Sequence, residues 1–185
     1  MSITYEQKKS EKQHIYFVGI DQSITHTGIS IIKKTSNGIE LIDSFGISTI
    51  PKNTFEHRLN LILSKIKDVL SKLNKEDTAI AIEGLAFAPG KTNNRSMLYG
   101  LFAVIILEIF NREFNYSVVP PTTLKKVMTG NGKAKKDEML NSLYDIEIIR
   151  LEEKSGLKRT SKKFEDIVDS YLLAKYKAFE YIEEN

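Results

Sequence analysis

A chain of 185 residues with 41% hydrophobic residues is long enough for one globular domain with a real core. It has no cysteine, which excludes disulfides and thiolate metal sites and makes a cytosolic setting the default. Its 27 basic and 24 acidic residues leave a net charge of +3, too mild to declare a nucleic-acid partner.

Residues 1–14 are polar and mixed in charge, lack the apolar core of a signal peptide, and read as a tail ahead of a single domain over 15–185. No apolar run is long enough to span a bilayer; Leu101–Phe110 is short and broken by Glu108. The first strand is expected over Ile15–Ile20 and leads to Asp21. Turn-forming Gln22-Ser23-Ile24-Thr25 follows, and a second strand runs from Gly28 to Lys33. A carboxylate at a strand end is held by a rigid sheet yet faces a groove, which suits a metal ligand; the plainer alternative is a turn cap. His26, close to Asp21 in sequence, reads as a turn or DNA contact rather than a catalyst. Thr35-Ser36-Asn37-Gly38 forms a hairpin turn into a third strand over Ile39–Ser48, so three consecutive antiparallel strands are expected.

Apolar residues at Leu59, Ile62, Leu63, Ile66, Val69, Leu70 and Leu73 predict an amphipathic helix over 55–73, capped by Asn53 or Thr54. Ala79–Ile82 reads as a buried strand beside the first, ending in Glu83-Gly84. Sites form at the carboxyl ends of strands in open α/β sheets, and two carboxylates arriving there repel unless a cation lies between them. Pairing of Glu83 with a lysine is the alternative. After a loop over 86–94, Arg95–Phe110 is a helix apolar on nearly all sides, either a central core helix or one covered by a second copy of the chain.

Tyr116–Val119 is the last short strand, Pro120-Pro121 ends it, and Thr122 or Thr123 opens a short helix through Met128. A further helix begins over 135–143. The segment 147–163 is charged and expected to be partly mobile, and the last helix spans Phe164–Ile182. Asp166 and Asp169 lie three apart on one face of its first turns, where the helix dipole favours negative charge. Simple capping would explain that pair alone. With Asp21 and Glu83 it makes an oxygen-only set fit for Mg²⁺ or Mn²⁺. Lysines cluster at 125, 126, 133, 135 and 136, and basic residues again at 154, 158, 159, 162 and 163. Each cluster alone reads as a solvated face.

This order of parts resembles the RuvC family of Holliday junction resolvases, within the ribonuclease H-like superfamily, from about Ile15 to Tyr176. Gly19-Ile20-Asp21 with Thr27-Gly28 is similar to the family's first catalytic strand and turn, and Ala81-Ile82-Glu83 to its second acidic motif. Pro121-Thr122-Thr123-Leu124-Lys125 and Gly130–Lys136 are similar to its basic segment, and Asp166-Ile167-Val168-Asp169 followed by Leu173-Ala174 to its closing acidic helix.

The resemblance implies a mixed five-stranded sheet flanked by helices. It implies Asp21, Glu83, Asp166 and Asp169 as catalytic metal ligands for two Mg²⁺ or Mn²⁺ ions. Lys136 joins them as a catalytic cation, and Lys125, Lys133, Lys136, Phe87 and Arg95 are candidate DNA contacts. It also implies a homodimer through the helix at about 95–110, acting on four-way DNA junctions by paired nicking in recombination, repair or phage DNA debranching. Two departures stand out. Gln22-Ser23 replaces the family's usual Pro-Gly, and Ala86 stands where many members carry a base-stacking aromatic; Phe87, one residue later, either replaces it or belongs to the core.

Rival readings are an actin-like ATPase or sugar kinase, for which the chain is short and lacks a second Gly-rich phosphate loop, and a branched-DNA-binding dimer that does not cut. A third keeps the fold but changes the substrate to flapped or Y-shaped DNA or RNA–DNA hybrids. Abundant Lys, Ile and Asn fit an AT-rich genome, and a bacterial or phage-infected host cytoplasm is the expected setting.

Overall fold

The computed structural model describes residues 15–85 and 93–184. The expectations placed on the tail at 1–14, on loop residues 86–92 and on Phe87 lie outside the described residues. Strands β1 (Tyr16–Asp21), β2 (His26–Thr35) and β3 (Gly38–Ser48) form an antiparallel meander. Helix α1 (Phe55–Leu70), strand β4 (Thr78–Glu83), helix α2 (Asn93–Asn111) and strand β5 (Asn115–Val119) follow. The chain closes with α3 (Pro121–Thr129), α4 (Lys136–Asn141), α5 (Asp145–Ser155) and α6 (Lys162–Glu184). The sheet order is β3-β2-β1-β4-β5, with β4 parallel to both β1 and β5, so the expected mixed sheet is present.

Strand alternation assigns every side chain to one of two faces. Val18, Ile20, Ile29, Ile31, Ile80 and Ile82 pack against Ile62 and Ile66 of α1 and Leu101 and Ile105 of α2. Phe17, Ile32, Ala79 and Ala81 point the other way, onto Phe164, Ile167, Tyr171 and Leu172 of α6 and the buried residues of α3, α4 and α5. Asp21 and Glu83 follow Phe17 and Ala79 at even spacing, so parity alone puts both acids on the α6 side. That face is built from small residues. A Cβ on Gly19 would lie 1.9 Å from the Ser170 carbonyl oxygen, and one on Gly28 would lie 2.1 Å from that of Asp166. The α6 backbone therefore rests directly on β1 and β2, which brings its acidic turn to the strand ends. Buried hydrogen bonds from Ser30 to Ser44 and to Ser170, both 2.8 Å, fix this docking.

Several local expectations change. Helix α1 stops at Leu70 rather than Leu73, and Thr54 is its cap, accepting the His57 N–H at 3.3 Å. Helix α3 starts at Pro121, and its cap residue Pro120 has no side-chain acceptor, so the Thr123 and Leu124 N–H groups bond to the Pro120 carbonyl instead. The stretch 147–163, read as charged and partly mobile, contains most of α5. Glu147 anchors it by accepting from the Tyr144 N–H, the Tyr171 hydroxyl and Lys175, while Ile148 and Leu151 are buried. Helix α2 is not buried all round: Leu101, Ile105 and Ile109 face the sheet, whereas Tyr99, Leu107 and Phe110 are exposed. No helix among the described residues is long and apolar enough to cross a membrane.

Replacing Gly19 by alanine is expected to cost about 3 kcal/mol, since the added methyl overlaps helix backbone that cannot yield locally. Urea denaturation of G19A checks this; an unchanged midpoint would show that α6 can lift off the sheet at little cost.

Candidate active site

Three elements deliver four carboxylates. The β1–β4 register pairs Ile20 with Ile82, so one step further sets Asp21 beside Glu83. The two carboxyl groups are close enough for each to bear on the other's protonation. Gln22 secures the pair of strand ends by donating its amide N–H to the Glu83 carbonyl at 2.8 Å. Proline, usual at this place in the family the sequence resembles, has no amide side chain to donate. Beneath the same turn, the buried Arg58 donates to the Ile24 carbonyl and to the Thr49 hydroxyl, each at 2.9 Å, and braces the loop that follows Asp21. Asp166 and Asp169 enter from the first turns of α6.

The acids feel one another. Asp21 is buried, and its pKa is raised well above the ordinary carboxylate value, first by burial and then by the charges of Glu83, Asp169 and Asp166. Glu83 is raised by burial, against the opposing hydrogen bond from Asp21 and the charges of Lys125 and Lys136. Burial and the charge of Glu83 push Asp169 up to about 7, although Lys136 and Lys125 act against them. Lys136 is held as a cation: burial would lower its pKa, but the hydrogen bond and charge of Glu165, with those of Asp169 and Asp166, raise it. Its Nζ lies 2.5 Å from a Glu165 carboxylate oxygen.

The sequence-derived candidates therefore separate. Asp21, Glu83, Asp166 and Asp169 gather, with Lys125 and Lys136 as the cations acting on them. Lys133 is exposed in the turn before α4 and Arg95 is half-buried in α2; neither is hydrogen-bonded or ion-paired to any of the four. His26 departs from its expected role as a turn or DNA contact. It is buried and lies 2.8 Å from Asp166 through Nδ1. Sequence reasoning also missed Gln22 and Arg58, for which only their polarity beside a strand end offered a signal.

An oxygen-only donor set of this kind suits a hard divalent cation, and Asp21, Glu83 and Asp169 are raised first by burial, with neighbouring carboxylate charge adding to the rise. Among the described residues no three histidine or acidic side chains are arranged to hold one ion, so the set fits such a cation in its donor chemistry and not in a preformed coordination shell.

The mixed five-stranded sheet with its flanking helices is a ribonuclease H-like fold. The family model for crossover junction endodeoxyribonuclease RuvC matches residues 17–161, and the chain belongs to that family. The RuvC of Ehrlichia ruminantium strain Welgevonden is 32% identical over 137 residues, covering 70% of this chain and 81% of that protein. The RuvC of Brachyspira hyodysenteriae is 27% identical, covering 66% and 75%. Among solved structures, Thermus thermophilus RuvC in complex with a Holliday junction substrate superposes with a TM-score of 0.68 at 17% identity, over 91% of this chain and 96% of that one. The fowlpox virus resolvase with Holliday junction DNA gives 0.55 at 18% identity, over 90% and 99%.

The raised pKa values set the sign of a pH effect on the cation-free protein. Asp21, Glu83 and Asp169 each contribute stability below the unfolded value, near pH 4, and that contribution is lost as pH rises through the folded value, about 7 for Asp169. In chelator, D169N is therefore expected to gain on wild type between about pH 4 and pH 8, by a difference on the order of 4 kcal/mol. Urea unfolding at both pH values measures it, and equal pH profiles for the two proteins would contradict the assignment.

Proposed function

We propose that the protein is a metal-dependent endonuclease that nicks paired strands of four-way DNA junctions. The carrying observation is the convergence of Asp21, Glu83, Asp166 and Asp169, close enough that Asp21, Glu83 and Asp169 each feel the charge of other members. In this reading the four carboxylates hold two Mg²⁺ or Mn²⁺ ions. When bound, such ions supply a water of lowered pKa for attack on a phosphodiester and stabilise the leaving 3′ oxygen.

The chain's own groups do the rest. Asp21 and Glu83, on rigid strand ends, fix the floor of the site, and the α6 acids close it from above. Lys136, kept cationic at the rim, offsets charge developing on the scissile phosphate, with Lys125 beside it. A groove of about 520 Å³ runs from this rim past Thr25, Thr49, Lys162 and Lys163 and gives a DNA backbone a basic, hydroxyl-lined path. Lys133 and Arg95 extend the basic contacts.

Paired nicking needs two sites. Tyr99, Ala103, Leu107 and Phe110 recur at spacings of four, four and three along α2 and form an exposed, largely apolar stripe on a helix whose other face is core. That stripe supports a homodimer through α2.

D21N and E83Q are each expected to lower nicking of a synthetic four-way junction by at least about 100-fold, with junction affinity kept, because affinity rests on the lysines. A gel assay against four-way, Y-shaped, RNA–DNA hybrid and plain duplex substrates tests the reading. Undiminished nicking by either variant, or a wild type that prefers hybrid or plain duplex, would overturn it. L107E combined with F110E is expected to yield a monomer in analytical ultracentrifugation.

A further inference from the structure

We propose that His26 is a positioning residue that sets the side chain of Asp166 for cation binding. The inference rests on the site reading above and adds a residue to it.

The geometry is specific. His26 opens β2, and parity along that strand turns His26, Gly28 and Ser30 toward α6. Each meets a different feature of the helix. Ser30 binds the Ser170 hydroxyl, Gly28 lies under the Asp166 backbone, and His26 reaches the Asp166 carboxylate. The ring occupies a slot on β3 that exists only because residue 46 has no side chain: a Cβ there would lie 2.0 Å from Nε2 and 2.4 Å from Cε1. Gly28 and Gly46 are paired across β2 and β3. One of this pair of glycines therefore carries the Asp166 backbone and its partner carries the ring that holds the Asp166 side chain.

The docking of α6 does not need this histidine. The Ser30–Ser44–Ser170 bonds and the bare backbone at Gly19 and Gly28 already fix the helix. What His26 adds is one hydrogen bond, Nδ1 to Asp166 Oδ2 at 2.8 Å, made by a side chain only 6% exposed. A carboxylate accepts, so the ring donates from Nδ1. The bond engages Oδ2, while Oδ1 has no hydrogen-bond partner among the described residues. The Asp166 side chain is 22% exposed. Without the ring, a carboxylate in the first turns of a helix would sample several rotamers. With it, one oxygen is tied back toward the sheet and the other is presented. Hydrogen-bonded partners of metal-ligating carboxylates orient the ligand, and their loss typically costs about 10–100-fold in metal affinity.

The test measures Mn²⁺ binding to DNA-free protein by isothermal calorimetry, with thermal melting and junction affinity alongside. H26F keeps a ring over Gly46 but removes the donor. H26N restores an N–H near the Nδ1 position. The proposal expects H26F to melt near wild type, bind junction normally, and lose about 10-fold or more in Mn²⁺ affinity, with H26N recovering most of the loss. If H26F does not fold, H26A against H26N gives the same comparison. Wild-type Mn²⁺ affinity in H26F, or H26N no better than the donor-free variant, would overturn it. E83Q serves as the reference. If E83Q loses Mn²⁺ binding and H26F does not, the positioning role fails and the site reading stands. If wild type binds no Mn²⁺, both fail.

Discussion

The close seating of α6 on the sheet is the constraint on which the rest depends. Carboxylates brought together in a buried place repel, and no favourable contact between Asp21, Glu83, Asp166 and Asp169 would gather them unaided. Backbone-to-backbone approach does that work. Gly19 and Gly28 let the helix lie against β1 and β2 at contact distance, and a seam of serine hydroxyls holds it there. The apolar layer of Phe164, Ile167, Tyr171 and Leu172 supplies the free energy that offsets the crowding of charge.

The period-two alternation of the sheet then separates two tasks. Odd-numbered positions of β1 and β4 carry Phe17, Gly19 and Asp21, and Ala79, Ala81 and Glu83, toward α6 and the acidic site. Even-numbered positions carry isoleucine and valine toward α1 and α2. Helices α1 and α2 thus cover the face away from the acids, and Tyr99, Leu107 and Phe110 leave an exposed stripe on the outer side of α2.

Much of this was legible from sequence because its signals are local. A strand climbing to Asp21, another ending at Glu83, and Asp166 with Asp169 at helical spacing need no knowledge of tertiary contact. What stayed hidden depends on distant partners. His26 meets a residue 140 positions away, and Gln22 one 61 positions away; a neighbourhood reading of either suggests only a polar turn. Helix α5 was hidden for a different reason. Only Ile148 and Leu151 of it are buried, while Glu147, charged and so suggestive of a loop, is the anchor through Tyr171 and Lys175. Apolar character all round α2 pointed to burial, but composition cannot distinguish a helix covered by its own chain from one with a face left open.

Electrostatics also indicate why lysines alone do not complete the site. Lys125 and Lys136 both act on Glu83 and Asp169, yet Asp169 still rises to about 7 and Asp21 stays well above its ordinary value. Lys136 is moreover shared with Glu165, so its charge is partly spent outside the four carboxylates. A phosphodiester entering such a place would add negative charge to an existing excess. Two monovalent cations beside the cluster do not remove its excess of negative charge. In our reading that task falls to divalent cations, and the residues that turn Asp21, Glu83, Asp166 and Asp169 toward a common point then matter as much as the carboxylates themselves.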